Sequence, residues 1–280
     1  MSGEDVAIPA DGAIDYAPLL RPNGRPAIEL RDVHKRLGKK LVLDGVSLAV
    51  RRGEVFCIMG GSGAGKSVTL KNMIGLMRPD SGSILLEGVE ITQAVRKEID
   101  RVRGRMGYVF QYSALLNSMN VFENVALPLR EHDKLTEEEI RKRVEEVLLL
   151  VRLERDDFSK LPGELSGGMR KRVSLARAIV RKPDIILYDE PTSGLDPVTT
   201  AKVNEMIVDM QAKLGVTSIV VTHDVPSMMR IADRAALLFR GKVKFVGTPK
   251  EFETSEDPVV RQFIRGESQG PITDEEAPKP

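Results

Sequence analysis

The stretch from Gly60 to Ser67, which reads GGSGAGKS, constrains the fold of this chain more than any other feature. It fits the pattern G-x-x-x-x-G-K-[ST] of a phosphate-binding loop. The apolar run Val55–Met59 precedes it, and a helical pattern from Lys66 to Met77 begins within it. A strand that leads through such a loop into a helix favours phosphate binding over a glycine-rich turn with a chance Lys-Ser. The sequence therefore predicts a nucleotide-binding α/β fold.

The residues of this loop have separate expected tasks. Backbone N–H groups come close to a phosphate chain only where side chains are small, and the start of the next helix attracts the anion. We expect Lys66 to reach the β- and γ-phosphates of the nucleotide and the Ser67 hydroxyl to bind Mg²⁺. The predicted nucleotide contacts here are Gly60, Gly61, Ser62, Gly63, Ala64, Gly65, Lys66, Ser67 and Val68.

A second candidate element pairs two acids at the end of an apolar run. The stretch from Ile185 to Glu190 reads IILYDE, which predicts a buried strand that ends in two carboxylates. Parallel strands place their carboxyl ends at one sheet edge, where the phosphate loop also opens. Asp189 suits ATP and Mg²⁺ binding, and Glu190 suits the polarisation of an attacking water. An Asp-Glu pair that only caps the helix after Pro191 is the alternative.

Strands alternate with helices along the chain, which predicts a mostly parallel sheet with an antiparallel β edge. The strand that carries the two acids is predicted over Asp184–Tyr188. The other predicted strands are Ile28–Val33, Val46–Val50, Ser83–Glu87 and Thr217–Val221, with a final hairpin of Ala236–Phe239 and Val243–Val246 that turns at Arg240 and Gly241. Asp44 and Gly45 are a turn signal between the first two strands. A helix is predicted over Val198–Leu214. Another begins at the capping box of Thr136 and Glu139.

The chain divides into three predicted parts. Residues 1–26 form a proline-containing, flexible leader, and residues 27–250 form the catalytic domain, with a mainly helical subdomain at about 95–182. Residues 251–280 form a C-terminal extension whose last part is expected to be disordered. The single cysteine, Cys57, lies in the apolar run before the loop and is interpreted as a buried strand residue.

Composition excludes some classes of function. The chain has 42 Lys and Arg against 41 Asp and Glu, so nothing in its charge favours nucleic acid as a partner. It also has no apolar run near the ~18 residues that a membrane span needs, so any membrane association requires a partner.

The stretch from Leu165 to Met169 reads LSGGM, and with the two preceding motifs it resembles the ATP-binding subunits of ABC transporters over about residues 28–250. This resemblance implies a P-loop NTPase of the ABC type, with ATP and Mg²⁺ as cofactors and a second copy of the chain as partner. It implies that Ser166, Gly167 and Gly168 contact ATP bound by the opposite subunit. A simple helix N-cap at Ser166 is the alternative interpretation.

Three further positions match elements of that family in the expected order. Gln111 matches the glutamine that senses Mg²⁺ and the attacking water, and Asp196, in SGLD, matches the loop that meets the opposite subunit. His223 matches the histidine that contacts the γ-phosphate. The predicted catalytic residues are therefore Glu190, His223, Gln111 and Lys66, and the predicted Mg²⁺ ligands are Ser67, Gln111 and Asp189.

Two positions depart from the family pattern. Leu37 stands where many members stack adenine on an aromatic ring, which puts base selectivity in question. Met169 replaces the usual glutamine of the signature, and we expect activity to survive this change because the residues nearest to phosphate are unaltered.

The segment 113–132, which follows Gln111, is expected to face the membrane subunit and to determine which partner binds. It resembles the Mla/Mkl-type subgroup, which implies phospholipid transport with an integral permease, an MCE lipid-binding protein and a possible STAS-type regulator at the cytoplasmic face of the inner membrane. Val259–Ile264 is the candidate contact of the tail with a neighbouring subunit or regulator. The alternative is that the apolar residues of 113–132 only pack the core of the helical subdomain: Leu115, Leu116, Val121, Phe122 and Leu127.

Two rival functions remain open at this point. An amino-acid or other small-solute importer would use the same motor motifs, and co-purification of a solute-binding partner would reveal it. A non-transport ABC protein of DNA repair or translation would show ATPase activity stimulated by nucleic acid.

Overall fold

The computed structural model describes residues 25–273. The leader predicted for residues 1–26 therefore lies outside the described residues except for Arg25 and Pro26, and residues 274–280 of the predicted tail lie outside them as well.

Ten strands and nine α-helices make up this part of the chain. The strands are β1 (Ile28–Leu37), β2 (Lys40–Val50), β3 (Val55–Met59), β4 (Ser81–Leu86), β5 (Val89–Glu90), β6 (Met106–Val109), β7 (Ile185–Asp189), β8 (Thr217–Val221), β9 (Arg234–Phe239) and β10 (Lys242–Gly247). The helices are α1 (Lys66–Met73), α2 (Arg96–Arg103), α3 (Val121–His132), α4 (Glu137–Leu150), α5 (Gly167–Ile179), α6 (Pro197–Leu214), α7 (Val225–Ile231), α8 (Pro249–Thr254) and α9 (Pro258–Arg265).

Two sheets organise the core. The larger has the order β10-β9-β3-β8-β7-β6, in which only β10 runs antiparallel to its neighbour. The smaller, β2-β1-β4-β5, is antiparallel throughout. One apolar cluster fills the space between the two sheets and α1, and the other packs α3 to α9 against the opposite face of the large sheet. The predicted fold class, a mostly parallel core with an antiparallel edge and helices, is confirmed.

The antiparallel edge differs in detail from its prediction. β1 and β2 are longer than expected, and the chain reverses at Gly38 and Lys39. The turn predicted at Asp44 and Gly45 is wrong: Gly45 has φ +76°, and both residues lie in a bulge where the β1–β2 register shifts. A bulge needs the same left-handed backbone as a turn, so the local signal does not distinguish the two.

The helix after the phosphate loop is shorter than predicted. It ends at Met73 and not at Met77, because Gly75 adopts φ +66° and its N–H bonds to the Asn72 carbonyl. A glycine just beyond the last turn is a common helix stop.

Other elements match their predictions closely. β3 and β8 have the predicted bounds, the final hairpin turns at Arg240 and Gly241, and Thr136 and Glu139 form the predicted capping box. Cys57 is fully buried, and this burial raises the pKa of its thiol.

Two parts of the chain fold in ways that the sequence did not indicate. Within the region predicted to be mainly helical, β6 is a strand that extends the large sheet beside β7. The C-terminal stretch forms α9, which buries Val259, Val260 and Gln262 against its own chain. Of the apolar residues in the predicted tail contact, Val259–Ile264, only Phe263 and Ile264 keep partial exposure. A contact of this segment with a neighbouring subunit or regulator stays a prediction.

Candidate functional site

The phosphate loop connects β3 to α1 at the carboxyl edge of the large sheet. Gly60 adopts φ +150°, and a Cβ there would lie 2.5 Å from the Leu238 carbonyl oxygen. Gly65, the N-cap of α1, adopts φ +103°, and its Cβ would lie 2.8 Å from Leu43. Both positions therefore require glycine, which lets the backbone form a tight cradle at a helix N-terminus.

Lys66 lies over this cradle. Its ammonium donates to the carbonyls of Gly60 at 2.8 Å and Gly61 at 3.0 Å, and it lies 3.7 Å from Glu190 Oε1. Burial lowers the pKa of Lys66, while the charges of Glu190 and Asp189 oppose that shift. The lysine is thus a half-buried cation next to the loop, as phosphate binding requires.

Ser67 and Asp189 provide neighbouring oxygen ligands. The Ser67 hydroxyl lies 3.2 Å from Asp189 Oδ1, although 122 positions separate the two residues. A hydroxyl and a carboxylate suit Mg²⁺, which prefers oxygen and keeps its other positions for water and phosphate oxygens. Within residues 25–273, no three His, Cys, Asp or Glu side chains converge to hold a metal alone. The pair therefore fits an ion that arrives with the nucleotide, and such an ion would neutralise charge on the β- and γ-phosphates.

Glu190 follows directly and is held in an uncommon conformation. It has φ +47°, its N–H donates to the Val221 carbonyl at 2.9 Å, and the residue is 8% exposed. His223 Nδ1 lies 2.9 Å from Glu190 Oε2. Non-glycine residues in this region of φ are strained by about 1–3 kcal/mol and are frequent at functional sites. The structure thus places His223 and Lys66 on either oxygen of the Glu190 carboxylate.

Gln111 follows β6 and joins this group less directly. Its side-chain amide lies 3.5 Å from the Ser193 hydroxyl, and its main-chain carbonyl accepts a hydrogen bond from Lys171. Lys171 is 6% exposed, and burial lowers the pKa of its ammonium. No described contact joins Gln111 to Ser67 or Asp189, so its Mg²⁺ role stays a prediction.

The residues predicted to serve the opposite subunit form a separate cluster. Ser166 is the N-cap of α5 and accepts from the Met169 N–H at 3.2 Å. A Cβ on Gly168 would lie 2.8 Å from Thr199 of α6, whose N-cap is Asp196. The cap interpretation of Ser166 is therefore correct as local structure, and it leaves the exposed N-terminus of α5 available for the predicted role.

Three residues near the site were missed by sequence reasoning. Tyr108 donates to Asp189 Oδ2 at 3.1 Å, and Lys171 holds the Gln111 carbonyl. The Lys40 ammonium would lie 3.9 Å from a Cβ on Gly63 of the phosphate loop. Burial, and then the Asp189 carboxylate, raise the pKa of Tyr108, so its hydroxyl keeps its proton. None of these contacts has a signal in the sequence, because each depends on which strand or helix lies beside which.

A glycine cradle on a helix N-terminus, with a lysine and two acids at the edge of a parallel sheet, defines the class of P-loop ATPases. Comparison with known proteins narrows this class, because the profile of a family described as "ABC transporter" matches residues 43–193. The chain belongs to the ABC transporter family. It is accordingly an ATP-hydrolysing enzyme that uses ATP and Mg²⁺, as predicted.

Two curated relatives are similar over most of the chain. The probable ribonucleotide transport ATP-binding protein mkl of Mycobacterium leprae is 47% identical over 246 residues, which cover 88% of this chain and 71% of that protein. The intermembrane phospholipid transport system ATP-binding protein MlaF of Escherichia coli K12 is 42% identical over 245 residues, 88% of this chain and 91% of that protein. The predicted resemblance to this subgroup is confirmed.

Solved structures agree with the fold. The dimeric ATP-binding cassette MJ0796, bound to ADP and phosphate, has a TM-score of 0.73 at 33% identity and covers 79% of this chain and 98% of its own. The protein cbiO1 of Clostridium perfringens has a TM-score of 0.76 at 33% identity and covers 85% of this chain and 94% of its own. The family and the dimeric cassette imply that this chain pairs with a second copy and with a membrane permease.

Proposed function

We propose that this chain is the motor subunit of a transporter that moves phospholipid between membranes. Two copies bind two ATP molecules between them, close, hydrolyse and reopen, and the permease follows through the segment after Gln111. The observation that carries the coupling is an exposed apolar surface directly beside that glutamine, formed by Phe110, Tyr112 and Leu116 and called here the post-glutamine surface.

Hydrolysis in this proposal rests on position and charge. Lys66 holds the γ-phosphoryl group, and Glu190, buried and strained next to it, orients and polarises the attacking water. His223, whose Nδ1 lies 2.9 Å from Glu190 Oε2, would contact the γ-phosphate. The N-terminus of α5 in the opposite subunit, with Ser166 as its cap, supplies N–H donors to the same phosphate.

The post-glutamine surface is exposed but firmly supported. Tyr112 is 86% exposed and Leu116 is 42% exposed. The buried Asn124 side chain accepts from the Leu116 N–H at 2.8 Å, and its amide nitrogen lies within 3.1 Å of three main-chain carbonyl oxygens, one of them that of Leu116. Arg177 of α5 donates to the Ser113 and Ala114 carbonyls, so the segment is tied to the helix that begins at the signature. An apolar patch on a rigid support is suited to docking a partner.

The apolar residues of 113–132 thus divide between packing and surface. Val121 is buried, and Leu115 and Phe122 pack against the core, as expected if these residues only pack the helical subdomain. Leu116 is exposed and does not fit that alternative. This division supports the docking interpretation for one end of the segment.

Phospholipid is the proposed cargo because MlaF, at 42% identity over nearly its whole length, is named for that transport. The mkl relative is named for ribonucleotide transport, so a small polar solute is the second candidate. No helix in residues 25–273 is long and apolar enough to cross a bilayer. Because members of its family pair with a membrane permease, we place the chain at the cytoplasmic face of the inner membrane, held by that permease. An MCE lipid-binding protein and a STAS-type regulator are further proposed partners.

The test is co-purification from membranes with a surface variant. Wild-type chain should retain the permease, an MCE-type protein and phospholipid, identified by mass spectrometry. Tyr112→Asp should lose the permease at unchanged ATP affinity, because a charge replaces the most exposed apolar side chain of the surface. Val208→Asp, a change at another exposed apolar position on α6, is the matched control and should keep it.

Two results would overturn parts of the proposal. A co-purified periplasmic solute-binding protein, with ATPase activity stimulated by nucleotides or amino acids and not by lipid, would replace phospholipid by a small solute. Full permease retention by Tyr112→Asp would remove the post-glutamine surface as the coupling site.

A further inference from the structure

The pairing of β6 with β7 places a tyrosine beside the acid that follows the buried strand. Tyr108 lies opposite Leu187 in the parallel register, and Asp189 is two residues further along β7, on the same face. That diagonal separation is about 7 Å, which a tyrosine side chain can span. The hydroxyl of Tyr108 indeed lies 3.1 Å from Asp189 Oδ2.

Asp189 is consequently held through both of its oxygens. Oδ2 accepts from Tyr108, whereas Oδ1 lies 3.2 Å from the Ser67 hydroxyl. The Tyr108 ring is itself fixed by Phe110, with the two ring centroids 4.3 Å apart. A carboxylate with one oxygen pinned has few remaining orientations, so the other oxygen points reliably at its partner.

We infer that Tyr108 is a positioning residue for this ATPase: its hydroxyl fixes the Asp189 carboxylate so that Oδ1 faces the Ser67 hydroxyl, where Mg²⁺ of the nucleotide would be held. The inference rests on the Mg²⁺ role proposed above for Asp189. In this role Tyr108 acts through Asp189, to which its hydroxyl donates. Tyr108 lies on β6, three positions before Gln111. Its hydrogen bond therefore also connects the strand that precedes Gln111 with Asp189.

The competing explanation is that the hydroxyl only satisfies a half-buried phenol. In that case its removal would leave the benefit of Mg²⁺ to ATP binding unchanged. The two explanations differ in the ratio of ATP affinities measured with and without the ion, which needs no turnover.

The experiment uses the full chain as wild type, Tyr108→Phe, Tyr188→Phe and Asp189→Asn. The dissociation constant of ATP is measured by displacement of a fluorescent ATP analogue, once with excess Mg²⁺ and once with EDTA. Tyr188→Phe is the matched control, because it removes a tyrosine hydroxyl from the next strand, where the side chain is buried in the apolar cluster on the other face of the sheet.

We expect Tyr108→Phe to lose about tenfold of ATP affinity with Mg²⁺, the usual scale for a lost partner of a metal-binding side chain, and less than about twofold with EDTA. Tyr188→Phe should keep the wild-type ratio. Thermal melts with and without Mg²⁺-ATP provide a second measurement: the stabilisation by Mg²⁺-ATP should shrink for Tyr108→Phe. Tyr108→Met, which fills a similar volume without a hydroxyl, should behave in the same way if the phenylalanine variant folds poorly.

Each other outcome has one meaning. If Asp189→Asn loses the Mg²⁺ effect but Tyr108→Phe keeps it, or loses affinity equally under both conditions, the positioning role of Tyr108 is wrong while the role of Asp189 stands. If Asp189→Asn keeps the full Mg²⁺ effect, the proposed role of Asp189 fails, and the inference about Tyr108 fails with it.

Discussion

Replacement of Glu190 by glutamine tests the centre of the proposed mechanism. The substitution keeps the shape of the side chain and one acceptor oxygen, so the contact with His223 Nδ1, now at 2.9 Å, can persist. It removes the negative charge that lies 3.7 Å from the Lys66 ammonium. ATP binding should survive because the phosphates of the nucleotide can take the place of that charge beside Lys66.

The expected size follows from the role assigned to the carboxylate. A positioned general base contributes about 10²–10⁴-fold to a rate. Since each factor of ten corresponds to about 1.4 kcal/mol, the barrier should rise by about 3–5 kcal/mol. We therefore expect kcat to fall by about 10²–10⁴-fold, with the dissociation constant of ATP changed by less than about threefold.

Phosphate release in a single turnover and displacement of a fluorescent ATP analogue measure the two quantities separately. The ATP-bound dimer should also accumulate in size-exclusion chromatography, because closure occurs without hydrolysis. Glu205→Gln is the matched control, since Glu205 is exposed and its carboxylate pairs with Arg230. Turnover of Glu190→Gln within about threefold of wild type would refute the base assignment.

Three further predictions concern other parts of the structure. Ser166→Arg should abolish turnover at intact ATP affinity, because a long cation fills the N-terminus of α5; Ser166→Ala, which loses only the cap at a cost of about 1 kcal/mol, should keep most activity in the same assay. Gly107→Ala should lower the free energy of unfolding in urea by about 1–3 kcal/mol, since its Cβ would lie 2.5 Å from a main-chain oxygen of α5, whereas Gly163→Ala has open space and should change it little. Lys171→Met should cost about 1–3 kcal/mol in the same urea titration, because the carbonyl that Lys171 holds loses its donor; an unchanged midpoint would show that this contact contributes nothing.

Much of the site could be anticipated because its chemistry is local. The glycines of the phosphate loop have backbone conformations that other residues disfavour, so their spacing carries the geometry with it. β7 carries apolar or aromatic side chains up to its last residue, Asp189, and Glu190 follows directly. The position of both acids at the sheet edge follows from parallel pairing. The helix cap at Thr136 likewise depends on residues within one helical turn.

The misplaced elements share one cause. Asp44 and Gly45 carry a strong turn signal, yet long strands on both sides pair through them and turn the signal into a bulge. β6 was not predicted within the mainly helical region, because it is only four residues long and such a short apolar run fits a buried strand and a helix equally well. Val259 and Val260 were predicted to contact a partner, but α9 packs both against their own chain.

The sequence alone therefore determined the motor: the loop, the two acids, the signature and the family to which they belong. Tertiary structure decided how these parts are held, because the tyrosine on β6, the lysine on α5 and the support beneath the post-glutamine surface act across elements far apart in the chain. A contact such as Tyr108 with Asp189 joins residues 81 positions apart, and only strand order and register bring them within 3.1 Å. Backbone preferences depend on each residue and its near neighbours in sequence, whereas such long-range contacts depend on the packing of the whole domain.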